Sequence, residues 1–343
     1  VALSRRTFLS AVGALAVGGA GYELSRLMPG TTPRENLNLG TGPLTTDFVP
    51  STFITPTEQF FRIDTAFDSI PNIDASTWTL RIHGMVDKEV TLTMADLAAM
   101  PQVEHVISLG CVSNEVGGDL IGTAKWGGVL LADVLRLSGV HGNAQQLVSR
   151  SQDGWTCGSP VNALMDGRPA MLVTSMNDAP LSAKHGFPVR MLVPGLFGYV
   201  SATKWLTEME LTTWDAFDAY WVTTGWAKQA PMLSSSRIDV PRNNSTVKNQ
   251  AVTRVGGFAW APRSGVRTVQ VRVDGGEWKD AVIGQHDTGD AWAEWSFDWA
   301  PTSGQHQLEV RCIDANGNAQ DETIRPVEPS GATGLHSIMI HVV

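Results

Sequence analysis

Cysteine is scarce: Cys111, Cys157 and Cys312 are the only three in 343 residues. An odd number at wide spacing builds no disulfide framework. The absence of any CxxC pair excludes a structural zinc site of that type, and without CxxCH no c-type haem is attached through cysteines. Positive charge is also in short supply. Lys and Arg number 25 against 34 Asp and Glu, a net charge of −9, and no basic cluster stands out. Nucleic-acid binding needs cations gathered on one face to neutralise phosphates, so that class is excluded. Charged residues are 17% and apolar residues 43% of the chain, a balance that builds a core and excludes a disordered polymer. At roughly 100–200 residues per domain, the length implies two domains, or three.

One apolar run stands near the start. Ser4-Arg5-Arg6-Thr7-Phe8-Leu9 leads into a Gly/Ala-rich stretch from Phe8 to Gly21. Paired arginines ahead of a weakly apolar stretch are the pattern of a twin-arginine export signal, and the stretch is shorter than the roughly 20 residues that span a bilayer. Residues 1–29 are therefore expected to direct the chain to the periplasm or another extracytoplasmic space. No clean A-x-A site is visible, so the segment is either a signal cleaved after Ala20 or, with chain preceding Val1, an anchor or linker.

Residues 30–60 are Pro/Thr-rich and read as an extended lead-in. Trp78–Met85 and Val90–Leu92 alternate as strands do. Thr93 is placed to cap a helix over Met94–Met100, which Pro101 stops. Further strands are expected at His105–Leu109, Leu147–Ser151, Ala170–Met176, Pro188–Val193 and Trp205–Leu211, and a helix over Leu130–Leu137. Without a regular βαβ repeat, this mixture predicts an α+β domain over residues 30–235. Residues 228–247 carry Pro231, Ser234–Ser236, Pro241 and Asn243-Asn244 and read as a linker or surface loop. Beyond it the pattern is all-β: Val252–Trp260, Val266–Asp274, Ala291–Phe297, Gln305–Asp314 and Ser337–Val343. Such spacing predicts an immunoglobulin-like sandwich over residues 248–343, with Trp260 and Trp278 filling the core that a Cys pair would otherwise span.

The most informative window runs Ser108-Leu109-Gly110-Cys111-Val112-Ser113-Asn114-Glu115-Val116-Gly117-Gly118 and continues to Trp126-Gly127-Gly128-Val129-Leu130-Leu131. A lone cysteine at the end of an apolar strand enters a polar loop whose glycines let backbone approach a bulky ligand. A single thiolate suits a soft redox metal that has other donors; the same residues also fit a buried, inert thiol. A second block reads His185-Gly186-Phe187-Pro188-Val189-Arg190, Val193-Pro194-Gly195, Gly198-Tyr199 and Lys204-Trp205. A third reads Phe60-Phe61-Arg62-Ile63-Asp64-Thr65.

In that order, with the β-sandwich behind them, these blocks resemble the sulfite oxidase family of molybdopterin enzymes over residues 45–343. The resemblance implies molybdenum held by two sulfurs of one molybdopterin and by the Cys111 thiolate, with oxygen-atom transfer as the reaction. His185, Arg190 and Lys204 match the basic positions of the pterin-binding segment, with Ser201 and Thr203 as hydroxyl donors and Ser113 and Asn114 beside the ligand. The plain readings are a turn-capping His185 and a solvent-facing Lys204. Arg62 matches the position that brings an arginine to the substrate, and a surface Arg62–Asp64 ion pair is the alternative. Two departures stand out. The loop after Cys111 lacks the basic residues of the vertebrate enzymes, and Gly225-Trp226-Ala227-Lys228 stands where they carry a tyrosine. Trp226 donates through its indole N–H only.

Three functions follow: oxidation of a sulfite-type oxyanion; the reverse chemistry, reduction of S-oxides or N-oxides including methionine sulfoxide; and a cofactor-free exported binding protein. The resemblance implies a homodimer through the sandwich. No haem motif is present, so electrons are expected to pass to a separate carrier, a cytochrome c or a membrane haem protein.

Overall fold

Thr93 ends a strand and starts a helix in one stroke. Its side chain accepts from the Asp96 N–H at 3.2 Å, and the Asp96 carboxylate accepts from the Thr93 N–H at 2.8 Å. This reciprocal cap satisfies donors that a helix start leaves unpaired. The computed structural model describes residues 53–66, 69–284 and 289–343. The export signal and most of the lead-in lie outside the described residues. Ten strands form the first part: β1 (Thr79–Gly84), β2 (Val90–Thr93), β3 (Gln102–Gly110), β4 (Ile121–Leu130), β5 (Gln146–Ser151), β6 (Thr156–Pro160), β7 (Met171–Met176), β8 (Ala179–Pro180), β9 (Arg190–Leu192) and β10 (Leu206–Thr212). One sheet has the order β2-β1-β10-β5-β6; the other runs β3-β4-β7-β8, with β9 on β7.

The α+β expectation needs correction: this part is mostly β. Its α-helices are Met94–Ala99, Leu131–Arg136 and Val161–Met165, one or two turns each. Helices this short have no stability of their own and hold through the apolar side chains they press on the sheets. Strand β4 has no alternating signal because both its faces are buried and Gly122, Gly127 and Gly128 interrupt its apolar run. The glycine at 128 is required: a Cβ there would sit 2.0 Å from the Leu172 carbonyl oxygen, at the bulge where β4 pairs β7.

The second part holds β11 (Ser235–Val240), β12 (Ser245–Val247), β13 (Thr253–Trp260), β14 (Val266–Val273), β15 (Lys279–Asp280), β16 (Val282–Ile283), β17 (Ala293–Trp299), β18 (Gly304–Asp314) and β19 (His336–Val342). Sheets β11-β13-β17-β16 and β12-β19-β18-β14-β15 enclose Val255, Val269, Val271, Trp295, Leu308, Val310, Ile338 and Ile340. Two expectations fail here. The stretch read as a linker carries β11 and β12, because Ser235–Val240 pairs along β13 whatever its turn-rich flanks suggest. The sandwich core is filled by Trp295 and Trp299, not by Trp260 and Trp278. Trp260 joins the core of the first part, and the Trp278 ring lies near the guanidinium groups of Arg272 and Arg311, at 4.6 and 4.3 Å.

The two parts are bolted together beside β3. The Trp292 N–H donates to the Ser108 hydroxyl at 2.7 Å and its indole to the Phe53 carbonyl at 2.8 Å. Within the second part, the His336 Nδ1 accepts from the Ile238 N–H at 2.9 Å. Burial holds this imidazole at a pKa of about 4, Asp239 opposing and Arg237 reinforcing the shift. A folded value below the unfolded 6.5 means that protonation costs the folded state, and it also removes the Nδ1 acceptor. The stabilising contribution is complete above pH 6.5 and is lost as pH falls toward 4. Thermal unfolding midpoints should drop over that window, and His336→Asn, which keeps an acceptor but does not titrate, should shrink the drop. An equally steep drop in the variant would acquit His336.

Candidate active site

The β3–β4 hairpin pairs as far as Gly110 opposite Ile121, so residues 111–120 form its connection. This loop is closed by its own backbone. The Cys111 N–H donates to the Leu120 carbonyl at 2.8 Å, Asn114 N–H to the Cys111 carbonyl at 3.1 Å and Gly118 N–H to the Glu115 carbonyl at 2.9 Å. The Arg237 guanidinium, from β11, donates to the Gly118 carbonyl at 2.8 Å. Cys111 is thereby held partly exposed at the wall of a cavity of about 700 Å³. Burial pushes its thiol up. The Ser113 N–H and hydroxyl and the Val112 N–H oppose that shift without overcoming it. Those donors stabilise a thiolate over a thiol. Cys157 and Cys312 are wholly buried and do not line the cavity.

His185, Arg190 and Lys204 line the same cavity. His185 ends a short 3-10 turn, closed by Gly186 at φ 106°. Its Nε2 lies 3.1 Å from the Thr57 carbonyl; a carbonyl only accepts, so Nε2 carries the proton and Nδ1 is left as an acceptor. Burial, helped by Arg190 and Lys204, holds the ring at a pKa of about 4, hence neutral. Arg190, on β9, is buried above the Trp126 ring at 5.1 Å and donates to the His185 carbonyl at 3.2 Å. Burial brings it down to about 10, so it stays charged, and its Nε has no partner. Lys204 is brought down to about 8 by burial, against the pull of Asp64, to which its Nζ donates at 2.5 Å. Arg62 grips the same carboxylate in a fork at 2.6 and 3.1 Å. The Arg62–Asp64 pair therefore exists, but as part of a nearly buried triad with Lys204 instead of a surface pair.

Trp226 lines the cavity beside Tyr199, their rings 5.9 Å apart. Ser113 lines it too, whereas Ser201, Thr203 and Asn114 do not. Ser201 donates to the Leu196 and Phe197 carbonyls, Thr203 pairs with Ser149 at 2.6 Å, and the Asn114 Oδ1 accepts from the Leu120 N–H at 2.8 Å. These groups fix the backbone behind the site. Lining residues that sequence reasoning missed include Asp64, Asp153, Trp155 and the stretch from Ile324 to Thr333, which arrives from the second part. Away from the cavity, His83, Glu208 and Glu210 bring ligand atoms within 4.8 Å of one another. Arg150 already bridges both glutamates, which makes this a salt-bridge network.

An arginine buried with an unpaired Nε is costly unless an anion reaches it. A soft sulfur donor across the same cavity points to a ligand with both a metal and an anionic end. Molybdopterin has those two ends: Cys111 would bind the metal, and Arg190, Lys204 and the Nδ1 of His185 would meet the polar body.

Residues 67–221 match the oxidoreductase molybdopterin binding domain family. Mitochondrial sulfite oxidase of Homo sapiens is 28% identical over 332 residues, covering 82% of this chain and 60% of its own length. Sulfite oxidase of Arabidopsis thaliana is 24% identical, covering 81% and 84%. The chain thus spans about 60% of the length of the mitochondrial relatives it matches. The sulfane dehydrogenase SoxCD of Paracoccus pantotrophus shares the fold, with a TM-score of 0.67 at 21% identity over 78% of this chain and 74% of that one. Family match, relatives and fold point the same way: residues 67–221 carry an oxidoreductase molybdopterin binding domain, and the chain is similar in sequence to sulfite oxidases.

Proposed function

We propose that the chain catalyses oxygen-atom transfer on a small sulfur-centred substrate in the 700 Å³ cavity. The observation that carries this reading is the placement of Cys111, with its three donors, at the wall of the cavity that Arg190 lines with an unpaired Nε. When bound, the molybdenum centre supplies two-electron oxygen-atom transfer. The chain's own residues do the rest. Cys111 offers the thiolate; Arg190 would meet the anionic end of the cofactor, with Lys204 beside it on Asp64; Nδ1 of neutral His185 accepts a hydrogen bond from the cofactor. Trp226, which lines the cavity, would donate its indole N–H to a substrate oxygen. The aromatic walls, with Phe60, Trp155 and Trp221, exclude water.

Sulfite is the first substrate to assay, because sulfite oxidase is the name the relatives carry. Reduction of an S-oxide is the second reading, favoured by Asp64, which neutralises the arginine expected to meet an oxyanion. Electrons pass to or from a separate carrier, and we read the second part as an immunoglobulin-type sandwich. Among the described residues no helix is long and apolar enough to cross a membrane; export rests on the Arg5-Arg6 segment alone. The test is turnover by protein carrying one molybdenum per chain, with sulfite and an artificial acceptor, and with a reduced dye and sulfoxides. Turnover in either assay supports the proposal; a fully loaded protein inert to sulfite and to every S-oxide and N-oxide refutes it.

A further inference from the structure

The charges lining the cavity balance in number. Among the described residues lining it, Arg62, Arg190, Lys204 and Arg325 face Asp64, Glu115, Asp153 and Glu328, four charges of each sign, and His185 is neutral. The balance is tightest at the position expected to meet substrate. One carboxylate, Asp64, takes the Arg62 fork at 2.6 and 3.1 Å, the Lys204 ammonium at 2.5 Å and the Ala66 N–H at 3.2 Å. The side chains of this triad are 8–13% exposed, so water screens them little. Arg62 and Lys204 together hold Asp64 well below the ordinary carboxylate range despite its burial, so it stays charged at working pH. Once an anionic cofactor meets Arg190, the cavity carries net negative charge. The outer walls are apolar: Val116, Trp155, Trp221, Ile324, Pro326 and Val327, with Ile324 89% exposed.

Resting on the oxygen-atom-transfer reading above, we infer that Asp64 is a specificity-determining residue, which holds both Arg62 and Lys204 on one carboxylate so that the cavity takes a neutral, partly apolar oxo-substrate such as an organic sulfoxide and turns away dianions. A dianion entering would meet Asp64 and the cofactor with Arg62 and Lys204 already engaged by a carboxylate, so its desolvation would be poorly repaid. A sulfoxide is uncharged. Its oxygen accepts one hydrogen bond, and its organic groups are at home among tryptophans. In the reducing direction its S–O bond breaks, and the oxygen leaves as water with two protons and two electrons. A one-electron carrier supplies those electrons in two steps; a reduced viologen does so in the assay.

The test uses molybdenum-loaded holoenzyme at pH 6. Sulfate, an unreactive dianion, is titrated against the fluorescence of the cavity tryptophans, which reads binding without turnover. Wild type should bind sulfate weakly. Asp64→Asn, the same shape without the charge, should bind it on the order of tenfold more tightly, because Arg62 stays charged with no partner. The kcat/KM ratio of sulfite to methyl phenyl sulfoxide should move toward sulfite in the same variant. Adding Arg62→Gln to Asp64→Asn should return sulfate binding to the wild-type level. Tight sulfate binding by wild type, or unchanged affinity in a folded, loaded Asp64→Asn, overturns the inference. If that variant fails to fold or to load, sulfate competition against sulfoxide turnover by wild type decides: weak competition supports the inference and strong competition ends it. A loaded enzyme inert to all substrates would sink the oxygen-atom-transfer reading, whereas the sulfate titration judges Asp64 separately.

Discussion

Cys111→Ser should abolish turnover while leaving the fold in place. The substitution exchanges a soft sulfur, whose thiol burial pushes up against the pull of Ser113 and Val112, for a hard hydroxyl that stays protonated at neutral pH and binds a soft metal poorly. Loss of an outer partner of a metal ligand already costs about 10–100-fold, so loss of the ligand atom should exceed about 100-fold in kcat. Molybdenum and pterin should remain bound, because Arg190, Lys204 and His185, which line the same cavity, are unchanged. The visible absorption contributed by the thiolate should disappear. The swap is nearly isosteric at a partly exposed site. The unfolding midpoint should therefore stay within about 2–4 °C, the shift that 1 kcal/mol produces in a large domain. Cys157→Ser is the control: that thiol is fully buried and hydrogen-bonded to Ser159 at 3.8 Å, and its loss should leave the spectrum unchanged. Turnover of Cys111→Ser within tenfold of wild type, with the spectrum intact, would return Cys111 to the class of inert buried thiols.

Some of this was legible in the sequence for local reasons. Gly110 and Gly117-Gly118 around Cys111 announce a loop under close constraint, and His185 and Arg190 share one short segment that ends on a strand. Hydroxyl groups were harder to place. Ser201 and Thr203 sit in the same segment, yet their side chains turn to the nearest buried carbonyl or hydroxyl, since an unsatisfied polar atom in a core costs more than a ligand contact returns. Asp64 is visible only as a neighbour of Arg62; its second partner, Lys204, lies 140 residues away. The Ile324–Thr333 stretch has no periodicity of its own, and only the docking of the second part brings it to the cavity mouth. β4 and β11 were hidden by composition, the first by glycines and the second by flanking Pro, Ser and Asn. In both cases pairing with a neighbour strand overrides local propensity.

Gly117 tests whether that docking matters to the site. Its φ is +78°, a left-handed conformation, and a Cβ there would lie 2.2 Å from Cδ2 and 2.4 Å from Nε2 of His336. The imidazole cannot swing aside at no cost, because its Nδ1 is tied to the Ile238 N–H. Gly117→Ala therefore meets two penalties: roughly 1–2 kcal/mol for a left-handed alanine and roughly 1–3 kcal/mol for overpacking. The loop can relieve both only by moving away from β19, and Cys111 moves with it through the Asn114 N–H to Cys111 carbonyl bond and the Asn114 side chain that holds Leu120. A shift of about 1 Å at a reacting centre can cost on the order of 100-fold in rate. Gly117→Ala should accordingly lower both the unfolding midpoint and turnover per bound molybdenum. Adding His336→Ala removes the clash but not the backbone strain, so the double variant should recover part of the turnover and less of the stability. If Gly117→Ala instead keeps wild-type turnover per metal while losing stability, the second part braces the fold without positioning Cys111; if it keeps both, the loop has room that the His336 ring denies it.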